Sequence, residues 1–244
     1  MTRIKGCGMT RVDDAVLAAR LGVDAIGLVF TGRSRRQVGL RQARDIVESL
    51  PPFVATVALF MDDEASLVER VLEQVRPALL QFHGEETDPW CAQFGHPFLK
   101  ALAMGEGAAG LSRRHDYPHA AGLLLDGHAR GEAGGSGKTF DWSLLAEVRE
   151  KPLIVAGGLE PGNVADAVRM ARPWAVDVAS GVESAPGIKD PAPLVADDLA
   201  TGRLLAPWGF QPTTGHWILA TPQRSGDRRA VALAQWLRQE LAGG

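Results

Sequence analysis

The sequence predicts an α/β protein, a (β/α)8 TIM barrel with an atypical C-terminal extension. Short apolar runs alternate with amphipathic segments over about 190 residues. Most runs are apolar on both faces, which is typical of parallel strands covered by helices. Polar residues recur directly after the runs, where barrels carry their active sites. A doubly wound open sheet is the alternative, because the number of strands is uncertain from sequence alone.

Eight apolar runs are predicted as strands: RIKGC (3–7), AIGLVF (25–30), ATVALF (55–60), ALLQFH (78–83), PFLKAL (97–102), GLLLD (122–126), LIVAG (153–157) and AVDVAS (175–180). The segments between them are predicted as helices: 11–21, 40–49, 63–74, 89–94, 111–114, 142–147 and 162–171. In the segment DDEASLVERVLEQV, for example, apolar residues recur every three or four positions and form one helical face.

The composition argues against several kinds of partner. The net charge is −3 over 244 residues, which gives no general attraction to nucleic acid or to a membrane. Cys7 and Cys91 form no motif together, and the N-terminus has no apolar signal core. Both features indicate a reducing compartment. We therefore expect a cytoplasmic protein with a small-molecule partner.

The segment GEAGGSGKTFDW, residues 131–142, resembles a nucleotide-binding loop at first sight. That motif needs a glycine five positions before Gly137, and this chain has Glu132 there. ATP binding is therefore the weakest functional interpretation. We expect the segment to be a mobile loop that helps to close the site over its substrate, with Asp141 or Ser143 capping the helix that follows.

Cys7 and Asp126 each follow a predicted strand and are the strongest candidates for chemistry. Cys7 lies between two glycines. It could be a small buried residue, or an accessible thiolate that acts as base or nucleophile. Asp126 could cap a turn or act as a general acid or base across the rim from Cys7.

Glycines after the last two predicted strands indicate an anion-binding site. Gly157, Gly158 and Gly181 would let a phosphate approach backbone N–H groups. Arg36 could pair with a carboxylate through both arms of its guanidinium, or could be a solvated loop residue. His83 could donate a hydrogen bond or simply end its strand. The sequence contains no HExxH or CxxC, so no metal site is predicted.

In order along the chain, the motifs KGCGMT, GLVF, SRR, QFHG, LLLD, GGSGKTFDW, AGGL, VDVASGVE and PGIKD resemble the phosphoribosylanthranilate isomerase family over about residues 3–191. The resemblance implies a barrel without a cofactor. It implies an Amadori rearrangement in tryptophan biosynthesis, from N-(5-phosphoribosyl)anthranilate to 1-(2-carboxyphenylamino)-1-deoxyribulose 5-phosphate.

The resemblance also implies roles for the residues at the matching positions. Cys7 would be the general base and Asp126 the general acid, while Arg36 would hold the substrate carboxylate. Backbone and hydroxyl groups would surround the phosphate, namely those of Gly157, Gly158, Ser180 and Gly181. His83 and Asp177 would line the pocket.

The chain is predicted to divide into an isomerase barrel, residues 1–200, and a C-terminal extension, residues 201–244. From about residue 194 the chain resembles the last segment of the effector domain of a LysR-type regulator, without any helix-turn-helix. The extension reads as a strand, HWILATP, and an amphipathic helix, RAVALAQWLRQEL. It could pack on the barrel, mediate dimerisation or be partly disordered, so a monomer and a homodimer both stay open.

Two other functions remain as alternatives. The barrel could be catalytically idle and serve as a ligand-binding or regulatory module, or it could isomerise a different sugar phosphate. The pairing of Cys7 with Asp126 argues against both, because a binding module needs neither group and the histidine-pathway isomerase resembles a two-carboxylate design.

Overall fold

A closed barrel of eight parallel strands forms the centre of the molecule. The computed structural model describes residues 2–129, 137–145, 148 and 150–190, and two short strands at 212–213 and 216–217. The barrel strands are β1 (Arg3–Cys7), β2 (Ala25–Val29), β3 (Ala55–Phe60), β4 (Leu79–Phe82), β5 (Phe98–Ala103), β6 (Gly122–Asp126), β7 (Leu153–Val155) and β8 (Ala175–Val178). All eight predicted strands and the barrel are confirmed, and the open sheet is wrong.

The barrel closes where β1 pairs with both β2 and β8. Gly6 lies opposite Ile26 on one side and Val178 on the other. Buried apolar side chains fill the interior: Val57, Leu99, Ala101, Leu124, Ile154, Ala156 and Ala175. The interior is therefore a packed core rather than a channel, and any cavity must lie at an end of the barrel.

The helices of the described residues cover the outside of the barrel. They are α1 (Val12–Leu21), α2 (Leu40–Ser49), α3 (Ala65–Gln74), α4 (Asp88–Ala92), α5 (Ala108–Ser112) and α6 (Val164–Ala171). The predicted helix at 111–114 is the end of α5 and a following 3₁₀ turn, Arg113–Asp116. The predicted helix at 142–147 is a 3₁₀ turn, Trp142–Leu145, and Asp141 Oδ1 accepts from the N–H and the hydroxyl of Ser143 at its start.

A larger apolar layer lies between the strands and the helices, and an aromatic cluster forms part of it. Phe82 contacts the rings of Phe60, Phe94 and Phe98 at centroid distances of 5.8–6.0 Å. Lys100 lies in this outer layer because it alternates with the inward-facing Ala101. Its ammonium donates to Glu86 at 2.9 Å, which compensates its burial.

Two short hairpins follow the barrel strands. The strands β9 (Glu183–Ala185) and β10 (Ile188–Lys189) pair with each other beside the barrel rim. In the extension, β11 (Pro212–Thr213) pairs with β12 (His216–Trp217), so the start of the predicted strand HWILATP does have a partner. The rest of the extension, with its predicted helix, lies outside the described residues. None of the helices that the structure describes is both long and apolar enough for a membrane span.

Candidate active site

A cavity of about 290 Å³ opens at the carboxyl ends of the barrel strands. It brings together eight of the nine predicted site residues: Cys7, Arg36, His83, Asp126, Gly157, Gly158, Asp177 and Ser180. Gly181 does not line the cavity. Its role is steric, because a Cβ at this position would collide with the carbonyl oxygen of Leu159.

At one end of the cavity, Cys7 lies beside a buried ion pair. Lys5 and Cys7 project from the same face of β1 because side chains alternate along a strand. The Lys5 ammonium donates to Asp177 at 2.8 Å and also contacts the Cys7 sulfur. Gly27 on β2 makes room for this sulfur, since a Cβ there would lie 2.7 Å from Cys7 Sγ.

Burial, together with the charge of Asp177, favours the neutral thiol of Cys7. Burial raises the pKa of Cys7, and the Asp177 carboxylate raises it further, although Lys5 and Lys189 oppose this shift. Burial alone would lower the pKa of Lys5, but the charges of Asp177 and the Cys7 sulfur raise it above its usual range. Lys5 therefore stays charged and can stabilise a thiolate when one forms.

Arg36 approaches the same end of the cavity and is held by Glu183. Its Nε and Nη2 donate to the two carboxylate oxygens at 2.7–3.0 Å. Lys189 donates to Glu183 at 2.8 Å and to the carbonyl of Cys7 at 2.6 Å. Burial favours neutral Glu183, but the hydrogen bonds from Arg36 and Lys189 lower its pKa. An arriving carboxylate would meet Arg36 already oriented by an anion.

At the other end of the cavity, Asp126 lies between two imidazole rings. His83 Nε2 is 3.4 Å from Asp126 Oδ2, and His128 Nδ1 is 3.2 Å from Oδ1. The backbone N–H of His128 also donates to Oδ1 at 3.3 Å. The two rings face each other at a centroid distance of 4.9 Å. Between them β5 contributes only small side chains, Ala101 and Ala103, which leaves room for both rings.

Asp126 is ionised in this setting. Burial by itself would raise the pKa of the carboxyl group, but the two histidines beside it outweigh burial and lower the pKa well below its usual range. The ligand-free cavity therefore has a neutral thiol at one end and a carboxylate at the other.

A third part of the rim presents backbone N–H groups. Gly157 and Gly158 have φ values of 81° and 61°, a region that favours glycine. A Cβ on Gly158 would lie 2.6 Å from the carbonyl oxygen of Gly137, so the loop packs against this turn. Within the described residues, the N–H groups of Gly157, Gly158 and Ser180 donate to no other group. They are free to bind an anion.

Comparisons with known proteins agree with this geometry. The family described as N-(5'phosphoribosyl)anthranilate (PRA) isomerase matches residues 4–196. A relative from Pseudomonas paraeruginosa, N-(5'-phosphoribosyl)anthranilate isomerase, is 52% identical over 190 residues, which cover 78% of this chain and 90% of the relative. The chain belongs to the PRA isomerase family.

Solved structures of PRA isomerases have the same fold. The enzyme from Thermotoga maritima superposes with a TM-score of 0.77 at 38% identity, covering 84% of this chain and all of that one. A second structure, in complex with reduced 1-(o-carboxyphenylamino)-1-deoxyribulose 5-phosphate, gives a TM-score of 0.75 at 35% identity, with 84% and 100% of the two chains covered.

Sequence reasoning missed four residues that surround the predicted pair in this PRA isomerase: Lys5, His128, Glu183 and Lys189. Lys5 could have been identified from the sequence, because it is a charged residue inside an apolar strand. It lies two positions before Cys7 and therefore on the same face of that strand. Glu183 and Lys189 lie within motifs of the family resemblance. His128 is only two positions after Asp126, but nothing in the local sequence indicates that its ring turns back to the carboxylate.

Proposed function

We propose that Cys7 and Asp126 are the general base and the general acid with which this chain isomerises N-(5'-phosphoribosyl)anthranilate. Membership of the family makes the chain an isomerase of tryptophan biosynthesis with a TIM-barrel fold. The observation that supports these roles is that a thiol and a carboxyl group, both buried, line one cavity at the carboxyl ends of the strands.

The cavity has a suitable group for each part of this substrate. The N–H groups of Gly157, Gly158 and Ser180 would bind the phosphate. Arg36 would bind the anthranilate carboxylate through both arms of its guanidinium. The aromatic ring would lie on the apolar wall beside Cys7, which consists of Val29, Leu59 and Ala179. Gly181 would act by letting its backbone lie close to that of Leu159. His83 would act through Asp126, and Asp177 through Lys5.

The reaction then needs one proton donated and one removed. Asp126, once protonated, donates to the ring oxygen of the ribose as the C1′–O bond breaks, which leaves a Schiff base. The Cys7 thiolate takes the proton from C2′, and the resulting enolamine tautomerises to the ketone. One proton enters and one leaves, so substrate and product are isomers.

The resting charge states require that substrate binding moves protons. Net transfer of one proton from the Cys7 thiol to the Asp126 carboxylate on substrate binding brings both groups to their working forms. The positive charge of the Schiff base adds to that of Lys5 and favours the Cys7 thiolate. The acid and the base thus reach their working forms only when the substrate is bound.

The proposal is tested by the fluorescence decay of freshly made phosphoribosylanthranilate on addition of purified protein. Rapid decay is expected with the wild type, and a loss of about 10²- to 10⁴-fold in rate with Cys7→Ala and with Asp126→Ala. Cys91→Ala is the control, because Cys91 lies in the outer apolar layer. Full activity of either site variant, or no turnover by the folded wild type, would overturn the assignment.

We further infer a cytoplasmic protein that acts as a monomer or a homodimer on a phosphorylated small molecule, with no nucleic-acid or membrane partner. The support is the net charge of −3 and the substrate class of the family. The division into a barrel, 1–200, and an extension, 201–244, stays a prediction, as does the likeness of the extension to a LysR-type effector domain. Closure of the loop over the substrate also stays a prediction.

A further inference from the structure

Three metal-ligating side chains converge at the Asp126 end of the cavity. His83, Asp126 and His128 each offer one donor atom, and the three atoms lie within 4.8 Å of one another. All three side chains are more than nine-tenths buried, with exposed fractions of 7%, 7% and 3%. They come from the end of β4, the end of β6 and the turn after β6, so rigid strands hold the first two.

Each imidazole has one ring nitrogen that lies near the carboxylate but makes no hydrogen bond within the described residues. These atoms are His83 Nε2 and His128 Nδ1, and both are buried. Their distances to Asp126, 3.4 and 3.2 Å, are as short as in an ion pair, but the angles do not suit a hydrogen bond. Such an arrangement leaves polar atoms unsatisfied, which is costly in a buried site.

The spacing of these atoms suits a tetrahedral ion. Bonds of about 2.0–2.1 Å from Zn²⁺ to nitrogen or oxygen place neighbouring ligands roughly 3.3 Å apart. The two imidazole nitrogens lie 3.4 and 3.2 Å from the two oxygens of Asp126, and one donor atom from each residue falls within 4.8 Å of the others, so small side-chain movements would complete the set. Two imidazoles and a carboxylate are a common three-residue set for zinc, with the fourth position left open. Here that position would face the cavity that His83 and Asp126 line.

A neighbouring amide can orient one of the rings. Gln81 Nε2 lies 3.3 Å from His83 Nδ1, and the buried Gln81 Oε1 has no hydrogen-bond partner among the described residues. A half-turn of the amide would bring Oε1 to Nδ1, where it accepts from the ring N–H. His83 Nε2 then carries a lone pair towards Asp126, which is the usual outer arrangement for a metal-binding histidine.

From this geometry we propose that His83, Asp126 and His128 form a Zn²⁺ site whose occupation inhibits the isomerase. The ion would not be a cofactor of the reaction. It would sit where Asp126 must receive and donate its proton, and so would hold the carboxylate in an unreactive form. The inhibition rests on the proposed role of Asp126, whereas the binding of metal does not.

Metal binding is measured with Zn²⁺ alone, by calorimetry and by competition with a chromogenic chelator. Saturable binding at one ion per chain is expected for the wild type. His128→Gln should weaken it by about tenfold or more, since the loss of even an outer-shell partner costs that much. His119→Gln is the matched control: His119 pairs with Asp88 at 2.6 Å on the surface, without a third ligand, and binding should be unchanged.

A second readout separates this site from the nearby thiol. Co²⁺ substituted for Zn²⁺ should give a visible spectrum without a sulfur charge-transfer band, and Cys7→Ser should leave it unaltered. Circular dichroism of each variant shows whether it is folded. Equal zinc affinity in the wild type and His128→Gln, or a cobalt spectrum that depends on Cys7, would overturn the site.

Activity decides the second half of the proposal. Zn²⁺ should inhibit wild-type turnover reversibly, a chelator should restore it, and His128→Gln should resist inhibition at the same zinc concentration. Tight zinc binding without inhibition would retain the site but overturn its effect on catalysis. Absence of turnover in metal-free wild type would instead count against the proposed function and leave the binding result standing.

Discussion

The cavity buries two acids and shifts their pKa values in opposite directions. Cys7 and Asp126 are both almost completely buried, and burial disfavours the charged form of each. At pH 7 a thiol is neutral and a carboxyl group is ionised even in water, and the surroundings widen this difference. At Cys7, burial and Asp177 outweigh the nearby cations and raise the pKa, whereas at Asp126 the two histidines outweigh burial and lower the pKa.

At the Cys7 end, the nearest cations already have partners. Lys5 is paired with Asp177 and Lys189 with Glu183, so little positive charge is left for the sulfur. At the Asp126 end, two imidazoles face the carboxylate. The cations that could stabilise a Cys7 thiolate are therefore already paired with carboxylates. The effect of these pairs can be tested at each end of the cavity.

The largest effect is expected for Lys5→Met, which leaves Asp177 buried without a counter-charge. Loss of one partner of a buried ion pair costs about 3–5 kcal/mol in the free energy of unfolding. Urea denaturation measures this change. In the double variant Lys5→Met/Asp177→Leu, most of the stability should return because no lone charge is left. If Lys5→Met were as stable as the wild type, the pair would not govern this end of the cavity.

Arg36→Lys should come next in size. Lysine keeps the charge but cannot form the two parallel bonds of a guanidinium with a carboxylate. A hydrogen bond to a charged group contributes about 1.5–3 kcal/mol, so KM should rise roughly 10- to 100-fold with little change in kcat. Steady-state kinetics provide the measurement, with Arg41→Lys on α2 as the control. A fall in kcat at constant KM would contradict a role in substrate binding.

At the other end, Asp126→Asn should change how stability depends on pH. The folded-state pKa of Asp126 is lowered, so its stabilising contribution is complete above the unfolded-state pKa of about 4 and is lost as the pH falls below it. Relative to the asparagine variant, the wild type should lose on the order of 2 kcal/mol during acidification. Urea unfolding at several pH values tests this, and parallel curves for the two proteins would refute it.

The smallest effect on substrate binding is expected for Glu183→Gln, which removes the anion that competes for Arg36. The side chain keeps an oxygen to accept from the guanidinium, but substrate no longer displaces a charge, so KM should fall by a few-fold. The free energy of unfolding should also fall, because the buried Lys189 loses its counter-charge. Ser184→Ala, one residue along, serves as the control. A rise in KM would mean that Glu183 orients Arg36 more than it competes.

The strands could be predicted from the sequence because most of them are apolar on both faces. The same rule separates two lysines that look alike in sequence. Lys5 and Lys100 each interrupt a strand, but Lys5 has the parity of Cys7, whereas Lys100 lies one position before the inward-facing Ala101. The alternation of side chains along a strand therefore places Lys5 near the cavity. It places Lys100 in the outer layer, beside Glu86.

The surroundings of Asp126 could not be predicted in this way. His128 reaches the carboxylate only because β5, between β4 and β6, carries Ala101 and Ala103 where larger side chains would fill the space. His128 is two residues from Asp126, but His83 and the alanines of β5 come from elsewhere in the chain, and no local spacing relates them to Asp126. Of the helix predicted at 142–147, the described part is a 3₁₀ turn, Trp142–Leu145, and residues 146 and 147 lie outside the described residues.

The ion pair between β1 and β8 also determines when the barrel can close during synthesis of the chain. Lys5 and Asp177 are 172 positions apart, and Lys189 and the Cys7 carbonyl are 182 apart. A ribosome therefore releases the first strand long before its counter-charge exists, and a lone ammonium cannot be buried at acceptable cost. The nascent chain must keep β1 accessible to water, or to a chaperone, until the last barrel strand emerges. Closure of the barrel and the first appearance of a working site are then the same event.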